Sequence, residues 1–311
     1  MNALLRYLSL VICTSMLLYT NLAQTDEHSR AALAKDEKCT RCHDEMEAKP
    51  ILSIYQTRHG VKADRRTPAC QDCHGESLAH ANKPKNSQNF PLTDVPFQSK
   101  LPAAPQNEAC LTCHQIDNAR HWIGSPHERQ GLACVNCHTL HTPRDPLLKR
   151  SSQAKACFVC HQTQRAEIHM PSAHPLANGK LTCTDCHNPH GSNGPKLLVQ
   201  DSSNETCFTC HAEKRGPFLW EHAPASDDCS LCHTPHGSTA RPLLKLRSPW
   251  LCQQCHSSSR HPATAYSSST GSSTNIGTSL NNAAQLPLHG CSNCHSQVHG
   301  SNHPGGNRLL R

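Results

Sequence analysis

The sequence predicts a chain of mostly coil with short α-helices and little or no β structure, drawn out along a row of repeated units. Three observations predict it. The pattern Cys-x-x-Cys-His recurs ten times in 311 residues. Aromatic residues make up only 4%, too few to fill an ordinary apolar interior at this length. Finally, 22 prolines break up any long helix, and no segment sustains the apolar–polar alternation of a strand.

The ten motifs run in order along the chain. They are CTRCH (Cys39, Cys42, His43), CQDCH (Cys70, Cys73, His74), CLTCH (Cys110, Cys113, His114), CVNCH (Cys134, Cys137, His138) and CFVCH (Cys157, Cys160, His161). Then come CTDCH (Cys183, Cys186, His187), CFTCH (Cys207, Cys210, His211), CSLCH (Cys229, Cys232, His233), CQQCH (Cys252, Cys255, His256) and CSNCH (Cys291, Cys294, His295). Together they use 20 of the 21 cysteines. A single CxxC reads as a zinc half-site or a redox pair. Zinc does not require a histidine after every second cysteine, and a disulfide scaffold does not fix every pair at one spacing. The pattern is that of covalent haem c attachment, with two cysteines for the vinyl groups and a histidine as the proximal iron ligand. The fold class is therefore a multihaem cytochrome c with ten covalently bound haem c groups, an elongated haem wire. Macrocycles supply the apolar surface the side chains lack, so the chain should be largely unfolded without them.

Motif starts are separated by 31, 40, 24, 23, 26, 24, 22, 23 and 39 residues. A period of 22 to 26 through the middle of the chain reads as a stack of similar units. Residues 81–106, rich in Pro, Asn and Lys, read as an extended surface linker, and residues 266–285, rich in Ser, Thr and Asn, as a polar loop. Both read as connections rather than sites.

The start of the chain reads as a secretory signal over residues 1–23: Arg6 in the charged region, an apolar run from Leu8 to Tyr19, and cleavage after Ala23. A retained anchor is the other reading of this segment. Export suits c-type haem, which is attached outside the cytoplasm. The formal charge of +7 suggests nucleic acid at first sight. Each ferric haem brings two propionates against one compensating charge, so ten bring about −10 and leave the mature holoprotein at about −4. The basic excess balances propionates, and nucleic acid is excluded as a partner.

Every motif supplies its own proximal ligand, leaving 15 further histidines in the mature chain for ten sixth positions. Only Met46 and Met170 could offer thioethers there, so bis-histidine ligation is expected. Taken in motif pairs, one histidine follows the first motif and another closely follows the second. The distal candidates are His59 and His80, His127 and His141, His174 and His190, His222 and His236, and His261 and His299. His169 competes with His174, His289 with His261, and His303 with His299. A proximal histidine occupies one face of a macrocycle and the sixth ligand the other. In CTDCHNPHG the two residues between His187 and His190, one a stiff proline, cannot carry the chain around the edge of its own macrocycle. His190 therefore serves a different haem, and the same holds for His141, His236 and His299. Each short motif becomes a joint between two haems, which favours electron transfer over isolated chemistry.

The stretches HGVKADRRTPACQDCHGES (from His59), HWIGSPHERQGLACVNCHTLH (from His121), SAHPLANGKLTCTDCHNPHGS (from Ser172) and CSNCHSQVHGSNHPGG (from Cys291) resemble the periplasmic decahaem cytochromes of the MtrA/DmsE/PioA family. The resemblance covers essentially the whole mature chain. It implies a rod of ten bis-histidine haems in two pentahaem halves, residues 24–170 and 171–311. It also implies insertion into an outer-membrane β-barrel porin, and passage of electrons between periplasmic or inner-membrane carrier cytochromes and an extracellular cytochrome, reductase or mineral. The implied location is the periplasm, in association with the outer membrane. A soluble periplasmic shuttle or electron store is the alternative. A multihaem nitrite or hydroxylamine enzyme needs a haem with an open or lysine-ligated position. All ten motifs here end in histidine, so no catalytic residue is assigned and the expected role is electron carriage.

Overall fold

Each Cys-x-x-Cys-His motif closes into one helical turn. The histidine N–H donates to the carbonyl of the first cysteine at 2.9–3.1 Å in nine motifs, and the remaining motif lies wholly inside the short α-helix Cys70–His74. One turn brings both thiols and the imidazole to a single edge. The structure, a computed structural model, describes residues 27–309 apart from 28, 63, 65, 86, 117–118, 257–290 and 294.

The turns alternate in kind along the chain. The first, third, fifth, seventh and ninth motifs begin in the last turn of an α-helix: residues 29–40, Ala103–Leu111, Arg150–Cys157, Ser203–Phe208 and Trp250–Gln253. The fourth, sixth, eighth and tenth open on a 3-10 turn instead, at Cys134–Asn136, Cys183–Asp185, Cys229–Leu231 and Cys291–Asn293. An acid or amide inside the motif tightens several of these turns by accepting the N–H of the residue before the first cysteine. Asp72 accepts from Ala69 at 2.7 Å, Asn136 from Ala133 at 2.6 Å, and Asp185 from Thr182 at 2.8 Å. In the eighth motif Asp228 acts from outside, accepting the Ser230 N–H at 2.8 Å.

A polar side chain in or just before four of these helices ties the helix to the turn that follows. Asp36 Oδ1 accepts the Cys70 N–H at 2.8 Å, Asn107 Oδ1 that of Cys134 at 2.8 Å, and Asn204 Oδ1 that of Cys229 at 2.8 Å; Ser248 Oγ accepts that of Cys291 at 2.9 Å. The two asparagines also donate, Asn107 to the Leu132 carbonyl at 3.0 Å and Asn204 to that of Ser226 at 2.9 Å. Each therefore fastens both sides of the turn. Asp36 is 1% exposed and is further bonded by Lys62 Nζ at 2.8 Å and by the Tyr55 hydroxyl at 2.9 Å. Burial pushes its carboxyl up, but the bonds from Lys62, Cys70 and Tyr55 outweigh burial and hold it below the usual range.

The chain divides into two compact units, one ending at Ala156 and one starting at Cys157. Each has a thin interior. Ala32, Ala69, Trp122 and Ala133 are buried in the first, and Ile168 and Ala240 in the second. Buried polar residues such as Asp36, Gln106, Asn107, Asn204 and Thr206 accompany them. Side chains this small and polar make a scaffold of hydrogen bonds rather than an oil-like core. Among the described residues there is no strand. Isolated bridges pair Ser172 with Ser238, His187 with Leu198, His233 with Leu244, Trp220 with Ser301 and Ala240 with Leu244.

Residues 81–106 are more than a linker. Pro91 and Val95 turn their carbonyls onto His80 and His74, Phe97 sets its ring edge against His74 at 5.0 Å, and Phe90 lies 5.4 Å from the His80 ring. Low hydrophobicity hid this role, because backbone carbonyls carry it. The polar stretch 266–285 lies outside the described residues.

Asn204→Ala removes three hydrogen bonds and leaves the half-buried Cys229 N–H without its acceptor. The expected loss is about 1–3 kcal/mol. A lowered denaturation midpoint of the holoprotein, followed by circular dichroism, checks it against Asn178→Ala as a surface control.

Candidate haem-binding sites

Seven motif histidines stand ring to ring with a histidine from elsewhere in the sequence. His43 faces His80, His74 faces His141, His187 faces His236, His222 faces His256, and His233 faces His299, each with ring centres 6.1 Å apart. His59 faces His114 at 6.0 Å and His174 faces His211 at 6.3 Å. The spacing has a direct chemical meaning. A metal–nitrogen bond is about 2 Å and a ring nitrogen lies about 1 Å from its ring centre, so two imidazoles sharing one metal axially stand about 6 Å apart. Rings in van der Waals contact would be closer. The seven pairs are spaced for one iron between them.

The ring nitrogens point the same way. Nδ1 donates to a carbonyl in His80 (Pro91, 2.8 Å), His141 (Ile51, 2.7 Å), His174 (Pro235, 2.7 Å), His187 (Lys196, 2.9 Å), His222 (Val298, 2.8 Å), His233 (Pro242, 3.0 Å) and His295 (Arg308, 2.6 Å). His74 does so to Val95 at 3.3 Å. A carboxylate takes this role for His43 (Glu47, 2.9 Å) and His138 (Asp145, 2.7 Å), and Glu167 lies 3.3 Å from Nδ1 of His236. A proton fixed on Nδ1 leaves the Nε2 lone pair free for metal, the arrangement found behind most metal-bound histidines. Burial, first among the causes, lowers the basicity of His59, His74, His187, His233 and His299.

The thiols show a second order. The first cysteines of consecutive motifs lie next to one another in pairs: Cys39 with Cys70, Cys110 with Cys134, Cys157 with Cys183, Cys207 with Cys229 and Cys252 with Cys291. Between pairs it is the second cysteines that approach: Cys73 with Cys113, Cys186 with Cys210 and Cys232 with Cys255. Within each unit, neighbouring motifs thus meet alternately at their first and second thiols. None of the described cysteines forms a disulfide.

Of the distal candidates read from sequence, His59, His80, His141, His174, His222, His236 and His299 occupy positions opposite a motif histidine. None faces the histidine of the motif it follows. His127 and His190 are half-buried, whereas His121, His169 and His303 are exposed. His261, His289 and Cys294 lie outside the described residues. His174 rather than His169, and His299 rather than His303, is the member of each competing couple that meets a partner ring.

Two groups of supporting residues escaped the sequence reading. Asp36, Asn107 and Asn204, which anchor the following motif, each stand three residues before a motif's first cysteine in the recurring string Asp/Asn-Glu-x-Cys. The other group is the segment returning after the sixth, eighth and tenth motifs. There Leu197, Leu243 and Leu309 adopt left-handed backbone with φ of 61°, 57° and 54°. Each turns the carbonyl before it, that of Lys196, Pro242 or Arg308, onto the motif histidine. A left-handed leucine costs about 1–2 kcal/mol, which the surrounding hydrogen bonds must offset. The repeated Leu-Leu pairs at 197–198, 243–244 and 309–310 were the available signal.

The residues fit haem c: two thiols and an imidazole on one turn, a second imidazole at axial spacing, and both rings oriented through Nδ1. The comparisons agree. Residues 174–216 and 222–261 match the family described as doubled CXXCH motif, and residues 70–155 match the family of cytochrome c-type proteins described as NrfB-like. The chain is 43% identical over 279 residues to the multiheme cytochrome MtrA of Shewanella baltica (strain OS185), a match that spans 88% of this chain and 81% of that protein. With its repeated attachment motifs, its strandless scaffold and this level of identity, the chain is a multihaem c-type cytochrome carrying covalently bound haem c and belongs to the MtrA family.

Proposed function

We propose that this chain is a decahaem electron-transfer protein that conducts electrons across the outer membrane inside a porin–cytochrome complex. Its partners are a β-barrel porin, periplasmic or inner-membrane carrier cytochromes, and an extracellular cytochrome, reductase or mineral. On this reading residues 1–23 are a cleaved signal, and 24–170 and 171–311 are two pentahaem halves. Bound haem c supplies a one-electron couple at each site.

The observation that carries the reading is the register of the histidine pairs. A histidine lying between the two motifs of a pair faces the motif two further on: His59 faces the third, His174 the seventh and His222 the ninth. A histidine following the second motif of a pair faces the motif two before: His141 the second, His236 the sixth and His299 the eighth. His80, with no earlier motif to reach, turns to the first. His127, His190 and His261 or His289 are the remaining candidates for sixth positions. The spare histidines outnumber the sixth positions still to be filled, so on this reading none need stand open for a substrate. Each segment holds two sites at fixed spacing. Such a set of residues suits rapid outer-sphere transfer along a fixed row of centres and offers no place for bond chemistry.

Replacing His236 with Ala tests the ligand register. One low-spin centre should become high-spin in electron paramagnetic resonance, with covalent haem content unchanged; a fully low-spin spectrum would sink the assignment.

Fractionation of native membranes tests the conduit. The protein should co-purify with a β-barrel from the outer membrane. Recovery solely as a soluble monomer from periplasmic extracts would leave a shuttle as the better reading.

A further inference from the structure

The sixth, eighth and tenth motifs share one way of holding their histidine, and the fourth departs from it. After the sixth, eighth and tenth motifs the chain returns, a leucine takes left-handed backbone, and the preceding carbonyl accepts the Nδ1–H of His187, His233 or His295. After the fourth motif the corresponding stretch is Asp145-Pro146-Leu147-Leu148, aligned with Arg241-Pro242-Leu243-Leu244 after the eighth. Here Pro146–Leu148 winds into a 3-10 turn, and Leu147 is not left-handed. Here Nδ1 of His138 meets the side chain of Asp145, with Oδ2 at 2.7 Å.

The carboxylate is built in rather than incidental. Its other oxygen, Oδ1, caps the 3-10 turn by accepting the Leu147 N–H at 3.0 Å, so both oxygens are committed and the plane of the group is set. The Asp145 side chain is 10% exposed. By contrast Glu47, which meets Nδ1 of His43, is 32% exposed, and Glu167, 3.3 Å from Nδ1 of His236 across the His187 site, is 29% exposed, so water and salt screen both more than Asp145.

We propose that Asp145 is a tuning residue that sets the haem site at His138 apart as a low-potential point among the sites that close motif pairs. A full negative charge on the acceptor draws the Nδ1 proton and gives the ring anionic character. It then donates more strongly through Nε2 and favours the oxidised, more positive centre over the reduced one. A carbonyl dipole at the same place does this less. One centre lower than those beside it would act as a step in a row of otherwise similar sites.

This inference rests on haem c being bound with His138 as its axial ligand, and the experiment separates the two. The full-length holoprotein and its Asp145→Asn variant are titrated potentiometrically, with electron paramagnetic resonance as the readout. Asparagine keeps the cap on Leu147 and offers His138 a neutral carbonyl oxygen, the kind of acceptor the other three loops use. One one-electron component should move to higher potential, the rest should stay, and Asp145→Glu should keep that component near its native value. Should Asp145→Asn lose haem, Asp145→Ser, which also keeps the turn capped, must give the same upward shift. Unchanged potentials with a full set of low-spin centres overturn the role of Asp145 and leave the haem reading standing. Absence of low-spin centres from the unsubstituted holoprotein overturns the reading beneath it.

Discussion

Two imidazoles that share an axial metal must approach from opposite faces at about 6 Å between ring centres, and almost everything else in this chain follows from that spacing. A motif histidine is fixed on one face by the turn that carries its cysteines. Its partner must come from chain that has travelled elsewhere. Each His–His pair is therefore a long-range tie, such as His74 with His141 or His233 with His299. In a chain with so thin an apolar interior, these ties do the work that a hydrophobic core does in an ordinary domain.

The backbone is arranged around the same demand. Carbonyls of Pro91, Val95, Lys196, Pro242, Val298 and Arg308 all end on an Nδ1, so coil that looks unstructured in sequence is a set of placed acceptors. Close packing enforces the placements. A Cβ on Gly237, directly after His236, would stand 1.8 Å from the Glu167 carbonyl oxygen, and one on Gly300, directly after His299, 2.3 Å from the Phe218 ring. Glycine at both positions lets the segment carrying the second histidine pass against its neighbour.

The helix-then-turn alternation gives the row its grain. Asp36, Asn107, Asn204 and Ser248 lock four of the helices to the following turn, bringing the first cysteines of two motifs together. Within each unit the second cysteines face the next pair. A repeat of two motifs is thus the structural unit, which is why histidine placement repeats with every second motif rather than with each one. The division of the chain falls after Ala156, between the fourth and fifth motifs and so between two such units.

The sequence by itself determined the chemistry. Ten Cys-x-x-Cys-His strings, surplus histidines and few aromatics admit one cofactor class, because attachment is local: one helical turn suffices to present two thiols and an imidazole. The same local reasoning showed that His141, His236 and His299 could not return to their own motifs, since two or three residues cannot round a macrocycle. Which motif each histidine meets was decided only in the tertiary structure, because that depends on where chain dozens of residues away comes to lie. Only there do His174 and His299 separate from His169 and His303. Only there do residues 81–106 change from linker to support, and Asp145 stand where three other loops offer a carbonyl. These distinctions rest on backbone carbonyls and on one-residue differences in turn geometry, and neither leaves a compositional mark.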